Sequence, residues 1–134
     1  MAEATFTATH NDGGASQANH TIEHYWSTNQ VQQKGMRLCW SFPTQVTAGA
    51  LWFASFRYDN QNSVACPARF QLLAGDTETD LETIYVSLPE GQMSYPGGRV
   101  YLEFDKPVTA KYFAMELTED ATKEWLMSDV TLLG

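Results

Sequence analysis

The stretch Arg99-Val100-Tyr101-Leu102-Glu103-Phe104-Asp105-Lys106-Pro107-Val108-Thr109-Ala110-Lys111-Tyr112-Phe113-Ala114-Met115-Glu116-Leu117, followed after an acidic loop by Trp125-Leu126-Met127-Ser128-Asp129-Val130-Thr131-Leu132-Leu133-Gly134, decides the fold. Val100, Leu102 and Phe104 alternate with Tyr101, Glu103 and Asp105. Phe113, Met115 and Leu117 alternate with Tyr112, Ala114 and Glu116, and Val130 and Leu132 with Asp129, Thr131 and Leu133. Period two over short runs is the pattern of half-buried strands. Pro107 has no N–H and a fixed φ, so the chain is expected to leave the sheet there and re-enter at Lys111.

Working outward, the rest of the chain repeats this grammar. Thr5 to Thr9 reads as a first strand and Asn11-Asp12-Gly13-Gly14 as a tight turn. Gln17 to Gln33 is polar apart from a few apolar residues, which predicts a loop or short helical turn pinned by Trp26. Arg37 to Phe42 alternates until Pro43, and Leu51 to Tyr58 is apolar on both faces, as expected of a covered strand. Asp59 to Ser63 is a polar loop, Arg69 to Ala74 and Thr83 to Leu88 make a pair joined by acidic residues 75–80, and Pro89 to Gly98 is a long loop. The reading is an all-β, eight-stranded antiparallel β-sandwich forming a single module over residues 1–134, because strands at this spacing without a 3.6-residue period do not build βαβ units.

Composition narrows the partners. A net charge of -8, from 8 Lys+Arg against 16 Asp+Glu, repels phosphate backbones and anionic lipid heads, so neither nucleic acid nor a membrane surface is expected as a partner. No apolar run is long enough to span a bilayer, and residues 1–5 show neither a basic nor an apolar leader region. Cys39 and Cys66 have neither zinc-ribbon nor Cys-x-x-Cys spacing, leaving two free thiols or one disulfide. No nucleophile elbow, His-Glu-x-x-His or phosphate loop is present, and Glu78, Asp80, Glu82, Glu116 and Glu119 are scattered along edges and turns, so no enzyme is expected.

Several segments resemble those of the discoidin-like domains, also called coagulation factor V/VIII type C domains, which include the family 32 carbohydrate-binding modules. Phe104 to Phe113 is similar to that family's F-x-x-P-v-x-A-R-Y stretch, and Ser128 to Gly134 to its terminal S-E-I-x-V-y-G. Tyr25-Trp26-Ser27 is similar to T-x-W-x-S, Leu38 to Phe42 lies where the family writes I-x-I-D-L-G, and Phe70 to Asp76 is similar to y-x-l-x-x-S-x-D-G. The resemblance implies a jelly roll of the galactose-binding-like type. It also implies glycan binding through loops at one end, an extracellular or cell-surface setting, and tethering to a catalytic or anchoring domain.

In that family an aromatic of the last inter-strand loop stacks on a sugar face, and Trp125 stands where it would lie here, among charged residues. An indole suits a pyranose because the sugar's C–H face is apolar and its rim is polar. The other reading of Trp125 is a lid on the core. Asn60, Asn62, Tyr25, Asn29, Gln30 and Tyr95 are candidate polar or ring contacts, each otherwise a solvated loop residue. The family's structural Ca²⁺ site would map onto Asn19, Glu23 and Asp129, a departure from its usual D-G-x-x-x-T, although Ca²⁺ accepts roughly six to eight oxygens in flexible geometry. His20 and His24 lack an evident third ligand for zinc. The alternative function is a discoidin-like interaction or spacer module without a sugar site. An exposed Trp125 beside an end-loop concavity favours the first reading, a buried Trp125 the second.

Overall fold

The structure, a computed structural model, describes residues 4–19, 25–57, 60–87 and 98–134, with the backbone alone for 57 and 60–64. Nine strands are described: β1 Thr5–Ala8, β2 Trp26–Val31, β3 Arg37–Ala54, β4 Phe56–Arg57, β5 Asn60–Val64, β6 Phe70–Gly75, β7 Leu81–Val86, β8 Arg99–Leu117 and β9 Glu124–Leu133. A 3₁₀ helix, Asp12–Asn19, lies between the first two. Every pairing is antiparallel.

The architecture turns on β3 and β8, of 18 and 19 residues, which each run through both layers of a sandwich. Their pairing is interrupted twice. Arg37 to Ser41 pair with Tyr112 to Glu116, Val46 to Ala48 with Val108 to Ala110, and Ala50 to Ala54 with Arg99 to Glu103. The first layer is therefore β1, the first part of β3, the last part of β8, β6 and β7; the second is β2, β9, the last part of β3 and the first part of β8. Pro43 and Pro107 both fall in the interruptions, where no ladder N–H is required. The expected exit from the sheet at Pro107 with re-entry at Lys111 is corrected: Val108 to Ala110 pair with Val46 to Ala48, so the strand continues past the proline.

The two inner faces supply the core. Phe6, Leu38, Trp40, Phe113, Met115, Phe70 and Leu72 from the first layer meet Leu51, Phe53, Val100, Leu102, Trp26, Met127 and Val130 from the second. Phe53 and Phe70 cross the gap edge to face, with ring centroids 6.5 Å apart. Each such ring contributes about 1.5–3 kcal/mol by leaving water, so this cluster is the main source of stability.

The antiparallel sandwich is as expected, but the strand inventory differs. Two predicted strand pairs fuse into β3 and β8, and β4 falls within the expected strand Leu51 to Tyr58, while β2 and β5 occupy segments expected to be loop. Residues 26–28 of β2 are all buried, so the strand shows no alternation. Asn29, at φ 60°, adds a bulge between Ser27 and Val31 in its pairing with β9.

Candidate functional site

Trp125 is not an exposed platform. It lies on β9, is 0% exposed, and meets Trp26 edge to face at 4.9 Å. Lys123 and Glu124 are accessible to solvent, but the chain enters its strand at Glu124 and the next four side chains are all buried. The expected stacking contact is corrected accordingly: Trp125 is a core residue. Trp26 holds the neighbouring turn by donating its indole N–H to the carbonyls of His10 and Asn11 at 3.3 and 3.2 Å.

Asn29 and Gln30 protrude at the β2 edge, beside the buried Trp125. The Asn29 backbone N–H donates to Ser27 Oγ at 3.0 Å, and the Gln30 carbonyl accepts from Thr28 Oγ1 at 2.7 Å, so both backbones are fixed while both side chains face solvent. Ser27 Oγ donates in turn to Glu124 Oε2 at 2.5 Å. Tyr25 is half-buried just before β2. Asn60 and Asn62 lie on β5, whose side chains are outside the described residues, as are Tyr95, Glu23, His20 and His24 altogether.

The flanks of the predicted sugar loops do meet. Ser55 N–H donates to the Gly98 carbonyl at 2.8 Å and Ala65 N–H to the Ser55 carbonyl at 2.8 Å. Gly98, at φ 74°, lies against Phe56, over whose ring the Arg99 guanidinium sits at 4.8 Å. Ser55, Ala65 and Gly98 are thereby held side by side.

For calcium, the described residues supply Asn19, at the end of the 3₁₀ helix, and Asp129. Asp129, at φ 51°, accepts the Trp52 indole N–H on Oδ2 at 3.1 Å. The third predicted calcium ligand, Glu23, lies outside the described residues, and among the described residues no three His, Cys, Asp or Glu side chains converge. Cys39 and Cys66 are free thiols. Burial pushes Cys66 up to about 11 and also raises Cys39, where Arg37 partly opposes the effect.

Two grooves that alternation alone could not reveal flank the loop 76–80. One, of about 310 Å³, lies between that loop and the β8 bulge and carries Asp76, Asp80 and Glu82 opposite Lys106. Gln45 Nε2 reaches both Asp76 oxygens at 2.9 and 3.0 Å, so carboxylates that look scattered in sequence gather there. The other, of about 330 Å³, lies on the outer face of the first layer. Its floor is set by register. Thr5, Ser41, Tyr112, Gly75 and Leu81 form one cross-strand row, Thr7, Cys39, Ala114, Leu73 and Thr83 the next, and Arg37, Glu116 and Gln71 a third.

No family model matches the sequence, and no curated protein matches it. Solved structures do. The chain is similar to chitosan-binding module 2 of a Paenibacillus sp. IK-5 chitosanase/glucanase in complex with chitotriose, at 12% identity and TM-score 0.76, covering 98% of this chain and 97% of that one. It is similar to the family 32 carbohydrate-binding module of Clostridium perfringens NanJ in complex with galactose, at 15% identity and TM-score 0.73, covering 98% and 93%. Against a truncated AlyQ with family 32 module and alginate lyase domains, identity is 16% and TM-score 0.65, covering 94% of this chain but 30% of that one. The backbone described above is the fold of the family 32 carbohydrate-binding modules.

Proposed function

We propose that this chain is a noncatalytic carbohydrate-binding module. It meets its glycan through loops at the end of the sandwich where Ser55 and Gly98 join, and it works outside the cell, tethered to a catalytic or anchoring domain. The observation that carries this reading is the fold, matched over nearly the whole chain to modules solved with chitotriose or galactose bound. The Ser55–Gly98 junction supports it further by holding together the flanks of the segments bearing Asn60, Asn62 and Tyr95. Such a site exchanges water hydrogen bonds for sugar ones, so affinity is modest, with Kd about 0.1–1 mM, or about -4 to -5.5 kcal/mol.

Titration calorimetry against galactose, GalNAc-β-1,3-galactose and chitotriose tests the proposal. Binding of at least one sugar is expected, with Asn60→Ala, Asn62→Ala and Tyr95→Ala each weakening it about fivefold, the effect of one lost hydrogen bond. The burial of Trp125 favours a second reading, an interaction or spacer module without a sugar site. A glycan array on which nothing binds would establish that one instead.

A further inference from the structure

We infer that the groove on the outer face of the first layer is a second subsite, for a neutral mono- or disaccharide, separate from the loop end; the inference rests on the glycan-binding reading above. The depression exists because its floor is made of small side chains. Cys39 and Ala114 lie side by side in the middle row, and Gly75 allows the loop 76–80 to fold back, with the Asp80 carbonyl 2.0 Å from where a Cβ would stand. That loop forms one wall and is braced by the Asp80 N–H donating to Thr77 Oγ1 at 3.1 Å. Strand β1 forms the other.

The chemistry of the lining is that of a sugar site. Thr5, Ser41, Thr79 and Tyr112 all line the groove and supply it with hydroxyl groups, each able to donate to and accept from a sugar hydroxyl. The half-buried Tyr112 ring offers an apolar surface to a sugar's C–H face. A volume of about 330 Å³ is at the small end of ligand sites, which suits one or two rings.

Charge selects a neutral ligand. The one cation in the lining, Arg37, is already held by Glu116 Oε2, with Nη2 at 2.6 Å and Nε at 3.1 Å, while Gln71 Nε2 occupies Glu116 Oε1 at 2.9 Å. Among the described lining residues no other cation is left to meet a uronate, and the Glu78 carboxylate at the rim repels one.

Cys39 lines this groove and Cys66 does not, which gives each molecule a probe and an internal control. The rate of methanethiosulfonate modification at each thiol, resolved by mass spectrometry, is measured with and without saturating galactose or GalNAc-β-1,3-galactose. At least one sugar is expected to slow Cys39 fivefold or more and leave Cys66 unchanged. Tyr112→Phe and Thr79→Ala should each relieve that protection severalfold, and Asn60→Ala/Asn62→Ala should not. If calorimetry shows a sugar bound while Cys39 reacts at its free rate, the groove subsite is overturned and the loop-end reading stands. If no sugar binds in either assay, both fall together.

Discussion

Trp125 and Trp26 form a T-shaped pair inside the second layer, and the Trp125 indole N–H finds no acceptor among the described residues. Removing the ring leaves a cavity, so Trp125→Ala is expected to cost about 3–5 kcal/mol in urea denaturation. Trp125→Phe should cost clearly less, because it also removes a buried donor whose desolvation is unrepaid. A Trp125→Phe loss as large as that of Trp125→Ala would show that the N–H is bonded after all. Cys66 makes a prediction of opposite kind. Its thiol ionises near 9.0 when unfolded and only at about 11 when folded, so the unfolded chain releases its proton first as pH rises. Stability should therefore fall between pH 9 and 11, by about 2–3 kcal/mol from this group, and Cys66→Ala should flatten that decline. At this scale the sequence reads poorly. Trp125 looks solvent-facing because Lys123 and Glu124 precede it, and the signal against that reading is the unbroken apolar run Trp125-Leu126-Met127, which only a segment covered on both faces carries.

Among the elements, the β6–β7 connection has the narrowest tolerance. A methyl at Gly75 would run into the Asp80 carbonyl, so Gly75→Ala should destabilise by about 1–3 kcal/mol and displace the wall shared by both grooves. A melting temperature unchanged by Gly75→Ala would mean that the loop does not hug the strand. The legible elements are those with one face in water: β8 announces itself through Val100, Leu102 and Phe104, then Phe113, Met115 and Leu117. What was not legible has a physical cause. Strand β2 buries three consecutive side chains and then bulges at Asn29, so its pattern resembles a loop. Pro43 and Pro107 read as strand ends, yet the long strands absorb them at bulges. The outer-face groove depends on which residues of five strands share a row, and no local pattern encodes that.

The whole molecule carries a net charge of -8, which sets a general preference whatever the site. Uronate-bearing oligosaccharides should bind more weakly than neutral ones, and the gap should narrow as NaCl rises from about 20 to 500 mM and screens the repulsion. Calorimetry at the two salt levels checks this, and tighter uronate binding at low salt would contradict it. The sandwich itself has a further property. Because β3 and β8 are each part of both layers, the walls are joined by continuous covalent chain and cannot part like two stacked plates. Amides on either side of the interruptions, Leu38 and Trp40 against Leu51 and Phe53, should exchange hydrogen at one common, slowest rate, that of global opening. A protease or a shearing load would then meet a molecule either wholly shut or wholly open, with no half-loosened state to seize.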